Sequence, residues 1–395
     1  MCRGCCDTIT RVWLASLPNC TTTGKLRWGR LRTAHGILME VMLELRQIRL
    51  IFLTLLFSCV FSFAVSPVEP LPDPVSNNAV AMLKIHGQFA LFSLMGIGPK
   101  KTWDAVANVA YELDAGSGKA YTIHPVPGTA GRIGAMAVGA SGRVFLFGGY
   151  VVYQGGGMVV PDANTYEPGN DRWVRNADVP VPVGDAVIGV YRDRYIYLVS
   201  GRTNSGLVSD VQMYDLEKNK WSKATSIPGT PVFGHAGALV DDTIVYVDGA
   251  KKNDTGQGPR FVASDECWKG KIDRHHPSVI EWTKLPNHPG NARFRIAAGG
   301  SEKDQMIYFS GGSDNPHDYN GIGYDGKPSE PSPVTFAYNL RSGKWELLSD
   351  NTTDPTMDHR GLLVTPEALV IIGGMEKGQQ VTGNIQVLSK EPKRK

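Results

Sequence analysis

Between Gly184 and Pro228 the chain alternates short apolar blocks with polar turns. Ala186–Val190 is apolar, Arg192–Arg194 is a turn, and Tyr195–Val199 is a second apolar run ending in Ser200-Gly201. After a polar loop come Val211–Asp215, a turn at Glu217–Asn219, and Trp221 leading into Ile227-Pro228. Runs of four to six β-branched, aromatic and apolar residues punctuated by Gly, Asn and Asp predict short antiparallel strands. Four of them in about fifty residues predict one small sheet.

The unit recurs. Tyr166 with Trp173, Tyr214 with Trp221 and Tyr338 with Trp345 share one spacing. Each pair follows an apolar run closed by a small-residue doublet, Gly148-Gly149, Ser200-Gly201 or Gly311-Gly312. A period near fifty, with Gly-Gly after the second strand and Trp before the fourth, resembles the kelch repeat of β-propellers. Blades that pack both faces on neighbours need nearly continuous apolar strands. The doublet turns where a Cβ would clash, and the Tyr and Trp fill the wedges between blades.

Taken in order, the repeats predict an all-β fold, a six-bladed kelch β-propeller with four antiparallel strands per blade. Blade one spans about 78–130, with Met95-Gly96 at the doublet and Tyr121 where a Trp is expected. Blade two spans about 131–183 and blade three is the unit above. Blade four, about 233–291, departs most, because Asp248-Gly249 replaces the doublet and Trp282 lies far beyond Asp265–Trp268. Blade five, about 292–358, carries a long insertion over 314–333. The last repeat, from Gly361, lacks a Trp strand. Leu71–Ser76 resembles the 178–183 stretch that closes the fourth strand of blade two. The N-terminal segment is therefore expected to supply the missing outer strand and close the ring.

Composition changes the picture at the front of the chain. The whole sequence of 395 residues is 42% hydrophobic and 20% charged, with 45 glycines, as a large turn-rich β core requires. Residues 1–64 hold eight of the Lys and Arg, three acidic residues and five of the six cysteines. Leu50–Val65 is apolar, follows Arg46 and Arg49, and contains Ser62-Phe63-Ala64, which reads as a secretory signal with cleavage at Ala64. Met39 or Met42 would be a better start for such a signal than Met1. The expected organisation is an upstream extension plus signal over 1–64, a propeller over 65–390, and a basic tail over 391–395. After cleavage 33 basic and 35 acidic residues remain, so nothing points to nucleic acid, and no membrane span is expected. Cys2, Cys5, Cys6 and Cys20 lack a second Cys-x-x-Cys, and Cys267 remains as a lone thiol, so neither metal nor cofactor is expected.

Candidate chemistry lies where inner strands and loops converge on a propeller's axis. Aligning the first strands places Asn78, Arg132, Asp185, His235, Arg295 and Arg360 at equivalent positions. Three arginines against one aspartate would form a mouth for a carboxylate or sugar hydroxyls. Loop residues Arg260, Asp314, Asn315 and Tyr319 add hydrogen-bonding and stacking groups suited to sugars. The alternative is that these charges cap strands and pair across blades.

Over about 65–390 the chain resembles secreted bacterial kelch propellers, the group containing sialic acid mutarotase and, more distantly, the central domain of galactose oxidase. The resemblance implies a periplasmic or secreted protein that binds an acidic or neutral sugar, as a monomer or weak dimer. A copper-radical oxidase needs a Cys–Tyr crosslink and two His ligands, for which this chain offers only Cys267 as sulfur. Mutarotases of this kind have a Glu and an Arg after one blade's doublet. Arg260 matches the Arg, but Ala250-Lys251 stands where the acid is expected. Asp185, His235 or Glu266 would have to substitute, and the expected catalytic set is Asp185, His235 and Arg260, with Asn78, Arg132, Arg295, Arg360, Asp314, Asn315 and Tyr319 holding substrate. The competing expectation is a non-catalytic propeller whose charged mouth grips a cell-envelope protein.

Overall fold

The structure, a computed structural model, describes residues 68–392. Its strands group into six antiparallel blade sheets taken consecutively along the chain, together with three two-stranded hairpins. Blade one comprises Ala79–Ile85, Gln88–Leu94, Ala110–Asp114 and Ala120–Thr122. Blade two comprises Met136–Ala140, Arg143–Phe147, Ala163–Glu167 and Arg172–Arg175. Blade three holds Val187–Tyr191, Tyr195–Val199, Val211–Asp215 and Lys220–Ala224, the strands expected from its apolar blocks. Blade four holds Ala236–Val240, Thr243–Val247, Cys267–Ile272 and Ile280–Leu285, and blade five Ala297–Ser301, Met306–Ser310, Thr335–Asn339 and Lys344–Ser349. Blade six shows Leu363–Val364, Leu369–Ile372 and Ile385–Leu388 among the described residues. Helical structure among them is limited to three single 3-10 turns.

The second residue of every doublet explains the ring. Gly96, Gly149, Gly201, Gly249, Gly312 and Gly374 have φ between 76° and 117°, where a side chain is strained. Each donates its N–H to a carbonyl of the next blade: Arg132, Val183, Val232, Arg293, Thr356 and Val75 respectively, at 2.8–3.2 Å. Five of these bonds join successive blades and the sixth joins blade six to the leader. At Gly149 a Cβ would lie 2.7 Å from both Ala135 N and Ile133 O, so only glycine brings the backbones this close. The first doublet position also has positive φ, 55–72°, yet tolerates Met95, Ser200 and Asp248. That is why the doublet was blurred in blades one and four.

The leader does what its likeness to 178–183 implied. Leu71 N–H donates to Gly383 O at 2.8 Å as Val179 N–H does to Pro161 O in blade two, and Val75 takes the place of Val183. Of the segment expected to supply the outer strand, 65–76, residues 65–67 lie outside the described residues, as do the proposed signal and the cysteines before it, and residues 68–75 form no strand. The outer strands are further pinned by tryptophan. Trp173, Trp221, Trp282 and Trp345 donate Nε1–H to carbonyls of His124, Ala177, Thr225 and Pro286 in the preceding blade. Trp282 is thus the Trp of blade four despite its displaced position. Three of these tryptophans pack on Tyr166, Tyr214 and Tyr338 with ring centres 4.7–5.2 Å apart, each pair worth about 0.5–1.5 kcal/mol beyond its buried area. Tyr121, in the corresponding strand of blade one, is left exposed.

Candidate functional site

The residue just after each inner strand's first bridge to its own blade defines the axis. These bridges fall at Ser76, Ile133, Gly184, Phe233, Phe294 and Met357. The next residue, Asn77, Gly134, Asp185, Gly234, Arg295 or Asp358, has φ between 54° and 70° in all six blades. Asp185 N–H donates to Gly134 O, Gly234 N–H to Asp185 O, Arg295 N–H to Gly234 O, His359 N–H to Arg295 O and Asn77 N–H to Asp358 O, at 2.7–3.2 Å. Gly134 N–H closes the circle on Asn77 Oδ1 at 2.6 Å. The left-handed turn aims these backbones inward and knits all six blades around the axis.

This equivalence corrects the sequence alignment at four positions. Asp185 and Arg295 belong to the ring, but Asn78, His235 and Arg360 follow ring positions and Arg132 precedes one. Arg132 is buried and donates to Gly148 O at 2.8 Å, as Arg293 donates to Gly311 O at 3.0 Å in blade five. Both arginines brace their own blade's doublet. Asn78 donates to Ser93 Oγ and to Ile372 O. The ring residue lies two positions before the first residue of the inner strand in blades one to five, so alignment on apolar runs drifted by a residue or two from a spacing that is in fact constant there.

Two glycines in the ring leave four side chains, and they form one buried ion cluster. Arg295 reaches Asp358 Oδ1 at 2.7 Å and Asp185 Oδ2 at 3.0 Å, while Arg360, from just beyond the ring, reaches Asp185 Oδ1 at 2.7 Å. Ser76 Oγ and Asn77 Nδ2 donate to Asp358 at 2.6–3.1 Å, and Arg360 also donates to Asn77 Oδ1. Burial alone would raise both carboxyls, and the two guanidiniums more than reverse it, holding Asp185 and Asp358 below the usual carboxylate range. The expected excess of positive charge therefore does not exist at the axis, because Asp358 balances it. The ring is two against two.

Below the cluster runs a channel of about 390 Å³ lined by Gly, Ala and Val of the inner strands, with His235, His359 and Arg360 at its charged end. His235 is buried, donates Nε2–H to Val199 O at 3.0 Å, and is pushed down to about 4 by burial. Above the cluster is a separate cavity of about 350 Å³ at the mouth. Its floor is Asp185, Arg295, Tyr150 and Tyr324, and its walls include Arg202, Tyr319, Tyr153, Trp103, Asn204 and Asp318. The glycine-rich hairpin of Tyr150–Tyr153 and Gly156–Val159 forms one side, pinned to blade three by Asn204, which bonds both N–H and C=O of Val159 at 2.8 and 3.0 Å.

Of the expected residues this cavity gathers Asp185, Arg295 and Tyr319. Asp185 and His235 also meet along the channel. Arg260 does not join them, being exposed and lying over the Phe261 ring at 5.0 Å. Asp314 is exposed, and Asn315 folds its loop by donating to Asp325 Oδ1 at 3.0 Å. Sequence reading missed Arg202, the residue directly after the blade-three doublet, and Tyr150, directly after that of blade two. The signal was present as the position directly after the doublet, which lines this cavity in blades two and three.

Arg202 differs from the other cations here. Its guanidinium lies 5.6 and 5.4 Å from the Phe233 and Phe261 ring centres and has no hydrogen bond or ion pair among the described residues. The Tyr150 hydroxyl is buried without a partner, and burial together with Asp185 raises its pKa far above the ordinary value. Tyr324 is pushed up to about 12, by burial first. Both phenols are neutral donors.

A kelch motif model matches residues 190–228, the clearest repeat. Kelch-like protein 15 of Danio rerio is 29% identical over 226 residues, covering 53% of this chain and 33% of its own length. Kelch-like protein terF of Aspergillus terreus is 30% identical over 174 residues, covering 43% and 33%. The chain spans about a third or less of the length of the first curated relatives it matches. The solved structure of YjhT superposes with a TM-score of 0.64 over 82% of this chain and 97% of that one at 17% identity, a likeness of fold.

Proposed function

This chain is a kelch-repeat β-propeller, and we propose that it is an exported binding protein whose mouth cavity takes a small acidic sugar, its carboxylate on Arg202. Arg202 carries the reading: it lies over two phenylalanine rings but its guanidinium has no hydrogen-bond or ion-pair partner among the described residues, in an aromatic-walled hollow whose floor charges neutralise one another. Tyr150, Tyr324, Tyr319 and Trp103 offer ring faces and hydroxyls to a sugar. Export rests on the Leu50–Val65 segment of the sequence.

Binding is favoured over mutarotation by the protonation chemistry. Ring opening needs groups that exchange protons near neutral pH. Asp185 is held ionised by two arginines, Tyr150 and Tyr324 are held protonated, and His235 lies along the channel, pushed down to about 4. The test is calorimetric titration with a panel of acidic and neutral monosaccharides. Arg202→Gln is expected to weaken carboxylate-bearing members about 10- to 100-fold, the worth of one charged hydrogen bond, and to spare neutral ones. Absence of binding by every acidic sugar, or equal binding by the variant, removes the proposal. Acceleration of anomer exchange in proton NMR would make the protein a mutarotase instead. A protein partner captured through Arg202 would support the envelope-interaction alternative.

A further inference from the structure

Blade four breaks the repeat at three places that meet in space. The first doublet position is Met95, Gly148, Ser200, Gly311 or Gly373 in the other blades and Asp248 here. The residue opening the third strand is Ala110, Ala163, Val211, Thr335 or Ile385 elsewhere and Cys267 here. His288, from the segment that leaves blade four, completes the group. One ligand atom from each of Asp248, Cys267 and His288 lies within 4.8 Å of the others, and all three residues are buried.

The hydrogen bonds around them are arranged as around a metal. His288 Nδ1 lies 2.9 Å from Pro289 O, and a carbonyl only accepts, so Nδ1 carries a proton. In the neutral ring Nε2 is then a bare lone pair, yet it sits 2.7 Å from Asp248 Oδ2. Two acceptors that close need a cation between or beside them, either a proton or a metal ion. Fixing the tautomer through Nδ1–H and a carbonyl is the usual support of a metal-ligating histidine. Asp248 Oδ2 also accepts the Arg293 N–H at 2.8 Å, whereas Oδ1 is buried with no hydrogen-bond partner. The Cys267 thiol donates to Asp265 O at 4.0 Å, a long contact that is given up when the thiol proton leaves.

We propose that Asp248 Oδ1, Cys267 Sγ and His288 Nε2 form a structural site for a borderline-soft divalent ion of the zinc class, locking blade four to the start of blade five. One oxygen, one nitrogen and one sulfur match that ion's donors, and bonds of about 2.0–2.3 Å require the three side chains to close slightly on a shared centre. Binding releases the thiol proton and places positive charge against the orphaned carboxylate oxygen.

The test refolds the full chain from denaturant with one equivalent of Co(II) or Zn(II), then desalts it. The expected result is one tightly held ion per chain, a sulfur-to-Co(II) charge-transfer band, and a melting temperature raised by Zn(II) and lowered by chelator. Cys267→Ser should abolish the band and lower affinity at least tenfold, and Asp248→Asn should weaken binding while keeping the band. Substituting both His275 and His276, an exposed pair, should change neither. Absence of stoichiometric metal in the unsubstituted protein, or metal and melting shift unaltered in Cys267→Ser, overturns the proposal. Should Cys267→Ser not fold, the charge-transfer band of the unsubstituted protein and its weakened form in Asp248→Asn decide the matter.

Discussion

Asp358→Asn tests whether the axial ion cluster holds the ring shut. The carboxylate is fully buried and receives Arg295, Ser76 and Asn77 at 2.6–3.1 Å. The substitution keeps shape and removes charge, leaving Arg295 and Arg360 against Asp185 alone. Breaking a buried, hydrogen-bonded ion group by removing one partner costs about 3–5 kcal/mol. Asp185 still neutralises one guanidinium, which places the loss near the lower figure, about 3 kcal/mol, or roughly a hundredfold in the folding equilibrium. Urea unfolding followed by tryptophan fluorescence should show a lower midpoint with an unchanged slope. The pH dependence fixes the sign. A carboxyl whose folded pKa lies below its unfolded value stabilises above the unfolded value, about 3.9, and that stability is lost as pH falls toward the folded one. The acid limb of Asp358→Asn should accordingly be shallower. Adding Arg295→Gln restores the charge balance, so the pair should be less damaging than the sum of the single changes. A loss below about 1 kcal/mol, or strict additivity, would refute the claim that the cluster is a clamp.

Gly149→Ala should cost more than the about 1–2 kcal/mol of a left-handed residue, because the new Cβ meets backbone on two sides, whereas Ser200→Gly relieves a positive φ but removes a buried hydroxyl bonded to Val208 O, Val232 O and Val232 N–H and should cost about 1–3 kcal/mol; both are read from denaturant midpoints. His235, His317 and His359 are buried, and burial first of all pushes each down to about 4. The unfolded chain binds more protons, so stability should fall from about pH 6.5 toward 4 by up to about 1.4 kcal/mol per pH unit per histidine, and their ring resonances should stay flat between pH 6 and 8. A His235 resonance titrating near neutrality would contradict its burial.

The repeat was legible because packing writes it into local sequence. Strands buried on both faces must be apolar throughout, and the second doublet position must be glycine, since its N–H reaches the neighbouring blade at a φ that other residues avoid. Trp282 was harder to place because the third and fourth strands of blade four are joined by a longer turn, which spacing alone does not reveal. The leader's role was readable from the likeness of Leu71–Ser76 to residues 178–183, since both make the same backbone bonds to a third-strand approach.

The sequence by itself determined the blades, their number and the residue types crowding the axis, because those follow from patterns within about fifty residues. Only the tertiary structure decided which side chains meet. Asp358 lies 173 positions after Asp185, yet both neutralise Arg295. Arg132, expected at the mouth, braces a doublet, and Arg202, which no sequence pattern singled out, lines the cavity. Which residue before an inner strand takes the ring position is set by backbone bonds between blades that no single repeat contains.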